Sequence, residues 1–353
     1  MLIIRSVFLT LLLTLLLLTQ PLLACAEEKP SVSAEACVLL CADGSTLFEK
    51  NADNRCLIAS TTKLMTALVC LENTDPDEKV IAQKRHCEVE GSSMYLRAGE
   101  AYTVRELLLG LLLASGNDAA LALAEYTAGS EQAFVELMNQ KALALGLTGT
   151  HFENPHGLDA KAHYSSARDM AKLMLCCLEN PAFCELTATK AAEVKGMTLL
   201  NHNRLLNCCP GCIGGKTGYT NAAGRCLVSA CERGGLLLVC VTLSDPDDWD
   251  DHIRLYDWAY AHYALHDLCE ELMFDVLVIS GSREAVHAVP PPETRVILPR
   301  DGSVEYRVEL PQFVFAPVKA GDRAGLLTLL RGGKELCSIP LLYSESAVPA
   351  ERY

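Results

Sequence analysis

The sequence predicts an α+β fold: an antiparallel sheet flanked by helices, with a helical subdomain, followed by a small all-β C-terminal domain. Three observations predict it. Between about residues 60 and 145, apolar residues recur at helical spacing. From Gly224 to Cys231 and from Leu236 to Leu243 run two β-rich segments, joined by Arg233-Gly234-Gly235. Beyond about residue 270 the pattern is purely β. There Val304, Tyr306, Val308 and Leu310 alternate with Glu305, Arg307 and Glu309, as in a half-buried strand. A chain of 353 residues has room for one large domain and one smaller one. With 50% hydrophobic and 21% charged residues it has the composition of a globular protein, not a disordered one.

The first segment stands apart. Arg5 precedes an apolar run from Val7 to Leu23, and Ala24-Cys25-Ala26 supplies a small-x-small exit. This is the pattern of a secretory signal peptide over residues 1–26. Pro21 and the small residues disfavour a retained membrane anchor. An alternative takes Leu22-Leu23-Ala24-Cys25 as a lipoprotein signal with Cys25 lipidated. The protein is expected to be exported, to the cell envelope or beyond, with membrane association by either of those routes left open. The net charge of −14 argues against nucleic acid and against an anionic membrane surface as partners.

In chain order, residues near 35–50 read as a hairpin turning at Asp43-Gly44. A helix follows Ser60, with Leu64, Ala67, Leu68 and Leu71 on one face. Further helices are expected from Val104 to Leu113, from about Ala119 to Tyr126 and from Glu131 to Leu145. After the β-rich pair, a helix is expected over roughly Asp250 to Leu265. Turns at Arg300-Asp301-Gly302 and Arg331-Gly332-Gly333 punctuate the C-terminal β region, residues 270–345.

Seventeen cysteines in an exported chain would ordinarily suggest disulfides. Cys37, Cys70, Cys226 and Cys240 lie inside apolar runs, where cysteine serves as a small hydrophobe. Mostly free, buried thiols are therefore expected, as suits a reducing or anoxic habitat. Cys208-Cys209-Pro210-Gly211-Cys212 is the exception and admits a disulfide or a metal. The four-ligand spacing of a zinc site is not evident, which disfavours metal.

Three short motifs carry chemistry. In Ser60-Thr61-Thr62-Lys63 a helix start places Lys63 and Ser60 on one face, so that the amine reaches the hydroxyl. Lys63 acts as a base only when neutral, and desolvation or nearby positive charge favours that form. Ser115-Gly116-Asn117 falls in a turn between two apolar helices. Its hydroxyl can relay a proton, and its amide can hold Lys63 and a substrate carbonyl. Lys216-Thr217-Gly218 falls at the start of the β-rich region. Its lysine supplies positive charge, its threonine can bond a carboxylate, and its glycine leaves room for a substrate backbone. A Ser-x-x-Lys alone arises by chance about once in a few hundred residues, and alone is more often a solvated helix face. Order, spacing and local structure together make the set specific.

With these motifs the chain resembles the low-molecular-mass penicillin-binding D-alanyl-D-alanine carboxypeptidases of the S11 serine peptidase family. The resemblance covers about residues 33–345. It includes Ala59 to Ala67, Gly91-Ser92-Ser93-Met94, Ser115 to Ala120, Asn154-Pro155-His156-Gly157-Leu158 and Gly215 to Thr220. It implies a DD-peptidase/β-lactamase-like catalytic domain over residues 33–268, with the β-rich domain after it. It implies Ser60 as the acylated nucleophile, Lys63 as proton acceptor and Ser115 as a participant in proton transfer. Asn117, Lys216, Thr217, Gly218 and Tyr219 would bind substrate, with the N–H groups of Ser60 and Tyr219 as oxyanion hole. The implied substrate is a peptidoglycan stem peptide ending in D-alanine, β-lactams are the implied inhibitors, and no metal or cofactor is required. Arg254 is a candidate for the terminal carboxylate.

Rival readings use the same motifs. A β-lactamase of class A needs a glutamate and a bound water for deacylation, and Glu153 lies in another sequence context. A D,D-endopeptidase is not separable by sequence. A catalytically silent wall-binding module is disfavoured because every polar motif residue is present. His156 and His202 read as structural, in turns that explain themselves. The closing residues, Ala347 to Tyr353, carry no apolar face of the kind that would lie on a membrane.

Overall fold

The computed structural model describes residues 29–350, so the signal-peptide and Cys25 readings lie outside the described residues. The central sheet has five antiparallel strands. Strands β1 (Ala36–Cys41) and β2 (Thr46–Lys50) form the expected hairpin. Next come β3 (Cys212–Thr220), β4 (Gly224–Arg233) and β5 (Leu236–Leu243), a continuous meander. The order across the sheet is β2-β1-β5-β4-β3, which makes β3 an edge.

These strands read as near-continuous apolar runs because both faces are covered. Val38, Leu40, Val228, Val239 and Val241 pack into the larger core, toward the helices of the first half of the chain. Their alternates Cys37, Leu39, Cys41, Leu227, Leu238 and Cys240 pack on the other face with Leu255, Tyr256, Trp258 and Ala259. Those last four belong to a helix over Asp248–His262.

Helix α1 (Lys63–Asn73) is buried along most of its length, which is why its apolar positions exceed one stripe. Around it lie α2 (Val104–Leu112), α3 (Asn117–Ala128) and α4 (Glu131–Ala144). Thr103 and Glu106 cap α2 reciprocally, a signal the sequence carries openly. Two further helices, α5 (Ala167–Leu178) and α6 (Pro181–Ala188), begin at side-chain caps Ser166 and Asn180. The sequence reading passed over both.

The helix expected to reach Leu265 stops at His262. Tyr263–Asp267 instead forms a strand paired antiparallel with Arg295–Pro299. Tyr263 and Leu265 satisfy either period over so short a stretch, and the cross-strand partner decides. From Leu268 on, a separate core gathers around Val276, Val286, Leu327, Leu329 and Leu341. It packs a six-stranded sheet that includes Val304–Glu309, the strand read from alternation. Among the described residues no helix is long and apolar enough to cross a membrane.

Candidate active site

Ser60 sits in one 3-10 turn, Ala59–Thr62, that runs directly into α1. The turn is held by its own hydroxyls: Thr61 donates to Ile58 O at 2.6 Å and Thr62 to Ala59 O at 2.8 Å. Ala59 has φ +45°. Ser115, in the turn between α2 and α3, has φ +59°. Two non-glycine residues in the left-handed region, one in each motif turn, are the kind of local strain that gathers where geometry is held for chemistry.

Lys63 reaches back from the first turn of α1. Its Nζ lies 2.9 Å from Ser60 Oγ, 2.7 Å from Asn117 Oδ1 and 2.6 Å from the His156 carbonyl. The side chain is fully buried. Burial first, and the charge of Lys216 second, hold its amine well below the ordinary lysine range, with Asp118 opposing them. A neutral amine has two hydrogens and one lone pair. Here two carbonyl oxygens can take the hydrogens, leaving the lone pair for the Ser60 hydroxyl.

Lys216 enters from the middle of the edge strand β3, which itself precedes the two β-rich segments read from the sequence. Its Nζ donates to Ser115 Oγ at 3.0 Å and to the Thr217 carbonyl at 2.7 Å. Burial pushes it down from 10.5 to about 7. This carries a stability consequence with a definite sign. The unfolded chain binds this proton up to pH 10.5 and the folded chain only up to about 7. Burying the ammonium therefore opposes folding fully below pH 7, and the opposition fades as pH rises toward 10.5. Lys216→Met is expected to raise the melting temperature at pH 6, by an amount on the order of a few kcal/mol in stability, with the margin narrowing by pH 9. Thermal denaturation at the two pH values checks this, and a margin that widens with pH contradicts it.

The remaining scaffold fixes these groups. Asn117 Nδ2 donates to Glu90 O at 2.6 Å, and its backbone N–H to Ser92 O at 2.7 Å. Asp118 takes Ser93 Oγ and the N–H groups of Met94 and Leu96 at 2.6–3.0 Å, tying the Gly91–Met94 loop to α3. The Asn154–Leu158 loop packs on the nucleophile turn, with Thr66 Oγ1 donating to Pro155 O at 2.6 Å. A Cβ on Gly157 would stand 2.0 Å from Ala59 O. Gly218 has a similar reason. A Cβ there would lie 3.0 Å from both Ile58 O and Ser60 N, so its clearance serves the nucleophile turn rather than a substrate backbone.

A cavity of about 310 Å³ opens on Ser60, with Ser115, Thr217, Gly218 and Tyr219 in its wall. All the motif residues named from the sequence thus converge, while Arg254 does not. Its guanidinium pairs with Asp251, one helical turn away on the same helix. The cavity's cation is Arg225, which faces Asp248 at 2.7 Å and lies 5.6 Å from the Trp249 ring centroid. Strand register sets it there: across the β3–β4 hairpin, Arg225 is the direct partner of Tyr219. His202 also lines the cavity. His156 contributes its carbonyl. Burial and Lys63 hold its ring down to about 3, so it stays neutral and takes no proton near neutrality.

A buried amine poised on a serine hydroxyl, at the mouth of a cleft between a helical region and a sheet edge, defines a serine acyl-transfer enzyme of the penicillin-binding type. Comparison with known proteins gives the family. The model of the S11 peptidase family, D-alanyl-D-alanine carboxypeptidase, matches residues 24–247. The carboxypeptidase DacF of Bacillus subtilis is 34% identical over 88% of this chain and 85% of its own length. DacC of Escherichia coli is 31% identical over 90% and 85%. The crystal structure of the carboxypeptidase DacD from Francisella tularensis superposes with a TM-score of 0.75 at 27% identity, over 94% of this chain and 98% of that one. Penicillin binding protein 5 from Haemophilus influenzae gives 0.73 at 27% identity, over 90% and 98%. The chain belongs to the S11 family of D-alanyl-D-alanine carboxypeptidases.

Proposed function

We propose that this serine-type D-Ala-D-Ala carboxypeptidase removes the terminal D-alanine of peptidoglycan stem pentapeptides through an acyl-enzyme on Ser60. The observation that carries the reading is the 2.9 Å approach of a fully buried Lys63 amine to the Ser60 hydroxyl. Lys63 takes the serine proton as Oγ attacks the penultimate D-alanine carbonyl. The N–H groups of Ser60 and Tyr219 receive the developing oxyanion. Ser115, bonded to Lys216, passes a proton to the leaving amine, and D-alanine departs. Water then hydrolyses the ester by the reverse proton path. Asn117 holds the amine and the substrate carbonyl, and Thr217 bonds the terminal carboxylate. β-Lactams acylate the same serine. Residues 33–268 carry this chemistry, residues 270–345 form the β-rich domain, and the protein works in the cell envelope after export.

The direct test is release of free D-alanine from a peptide ending in D-Ala-D-Ala. Absence of release, with penicillin still labelling the protein, would reject the carboxypeptidase assignment in favour of an endopeptidase.

Arg225 is a cation in the wall of the cavity that Thr217 also lines. A charged hydrogen bond from it to a terminal carboxylate is worth about 1.5–3 kcal/mol. Arg225→Ala is therefore expected to lower kcat/KM for the free acid roughly 10- to 100-fold. Acylation by a substrate whose C-terminal carboxylate is amidated is expected to change little. Equal losses for both substrates would remove Arg225 from carboxylate recognition.

A further inference from the structure

The Cys208–Cys212 segment has no part in the chemistry above, yet its sulfurs are not scattered. Cys209-Pro210-Gly211-Cys212 forms a tight turn ahead of β3, with Cys212 N–H donating to Cys209 O at 3.1 Å. The turn lies flat on the end of β4, where Glu232 N–H donates to Gly211 O at 2.8 Å. Only glycine permits this: φ is +79°, and a Cβ would stand 2.5 Å from Glu232 O. Flattening the turn brings Cys209 against Cys231. Both thiols share one acceptor, the Pro210 carbonyl, at 3.9 Å from Cys209 Sγ and 3.2 Å from Cys231 Sγ.

A cation completes the cluster. Arg233 Nε donates to Pro210 O at 2.8 Å and its Nη2 lies 3.6 Å from Cys209 Sγ, while Asp257 holds the same guanidinium at 2.8 Å. Tyr260 O–H donates to Cys231 O at 2.6 Å. Among the described residues no group of three His, Cys, Asp or Glu side chains is placed to hold a metal ion. What the geometry offers is a buried dithiol beside a fixed positive charge, which favours the thiolate form.

We propose that Cys209 and Cys231 are a redox-active pair that closes to a disulfide under a small peroxide, stapling the turn ahead of β3 to the end of β4. The adjacent Cys209 thiol, with Tyr260 and Arg233 and against burial, holds the Cys231 thiol below its ordinary range, and the adjacent Cys231 pushes Cys209 up. Cys231 is accordingly the thiolate and Cys209 the resolving thiol. The Cys231 sulfur attacks one peroxide oxygen. The O–O bond breaks, the departing hydroxide takes up the proton the Cys231 thiol had given up and leaves as water, and a sulfenic acid forms. The Cys209 sulfur then attacks the Cys231 sulfur. The S–O bond breaks, and the departing hydroxide takes the Cys209 proton as water. Two thiols are oxidised and one peroxide is reduced to two waters.

The test uses the whole protein treated with hydrogen peroxide, digested with trypsin without reduction and analysed by mass spectrometry. The expected product joins peptides 205–216 and 226–233. The link is expected to vanish in both Cys209→Ser and Cys231→Ser and to persist in Cys208→Ser and Cys212→Ser, with penicillin labelling of each variant as the check on folding. A link that survives in either of the first two, or no link in wild type when the exposed Cys208 is already oxidised, overturns the pair. Wild type alone gives a second readout. Closing a loop of this length is expected to raise the melting temperature of the oxidised protein by roughly 5 °C, reversibly on reduction. An unchanged or lower value overturns the stapling.

Discussion

Ser60→Ala is expected to abolish D-alanine release, a loss on the order of 10⁴-fold or more, and to abolish covalent labelling by penicillin with it. The two readouts belong together because one oxygen atom is acylated in both. The change deletes only the hydroxyl, and that hydroxyl's contacts are to Lys63 Nζ and, more distantly at 3.4 Å, the His156 carbonyl. The turn itself is held by Thr61 and Thr62, so the fold and its melting temperature are expected to stay near wild type. Titrating both proteins with a fluorescent penicillin and assaying free D-alanine checks the prediction. A Ser60→Ala protein that still labels would place the nucleophile elsewhere.

Lys63→Met is expected to slow acylation by on the order of 10³-fold, the range for a general base whose removal leaves the nucleophile in place. Methionine fills much of the same buried volume, so a structural role alone would predict little change in rate. The pH profile separates base from scaffold. Since burial and Lys216 hold the amine well below 10.5, wild-type acylation is expected to rise with pH through a midpoint well under that value. Below the midpoint the amine is protonated and has no lone pair for the serine proton. In Lys63→Met that limb is expected to disappear. Stopped-flow acylation by penicillin between pH 5 and 10 measures both, and a limb that persists in the variant would assign it to another group.

Much of this site was legible because its chemistry is written in side chains. Ser60, Lys63, Ser115, Asn117, Lys216 and Thr217 are polar residues at fixed offsets from helix and strand boundaries, and hydrophobic periodicity located those boundaries. What escaped was written in backbone or in pairing. His156 contributes a carbonyl oxygen, which any residue possesses. Arg225 and Arg254 look alike in one dimension. Only strand register sets the first at the cleft, while Asp251 engages the second one helical turn away. Gly218 was read as clearance for substrate, but the atoms it clears belong to residues 158 positions or more earlier in the chain. The cysteines show the same limit. Of the sixteen from Cys37 onward, eight are not buried, where burial was expected, and Cys231 became a neighbour of Cys209 only through the β3–β4 pairing.

The two buried lysines also bear on how such a protein ages in evolution. Each holds a charge-bearing group away from water, so replacement by an apolar residue of similar size is expected to stabilise the fold and to be penalised only through lost catalysis. A duplicate copy released from trimming the wall would therefore drift toward apolar residues at 63 and 216 before its cleft filled in. It would become a sturdier and silent relative of the same shape. The two lysines in one cleft thus cost stability that only the reaction offsets.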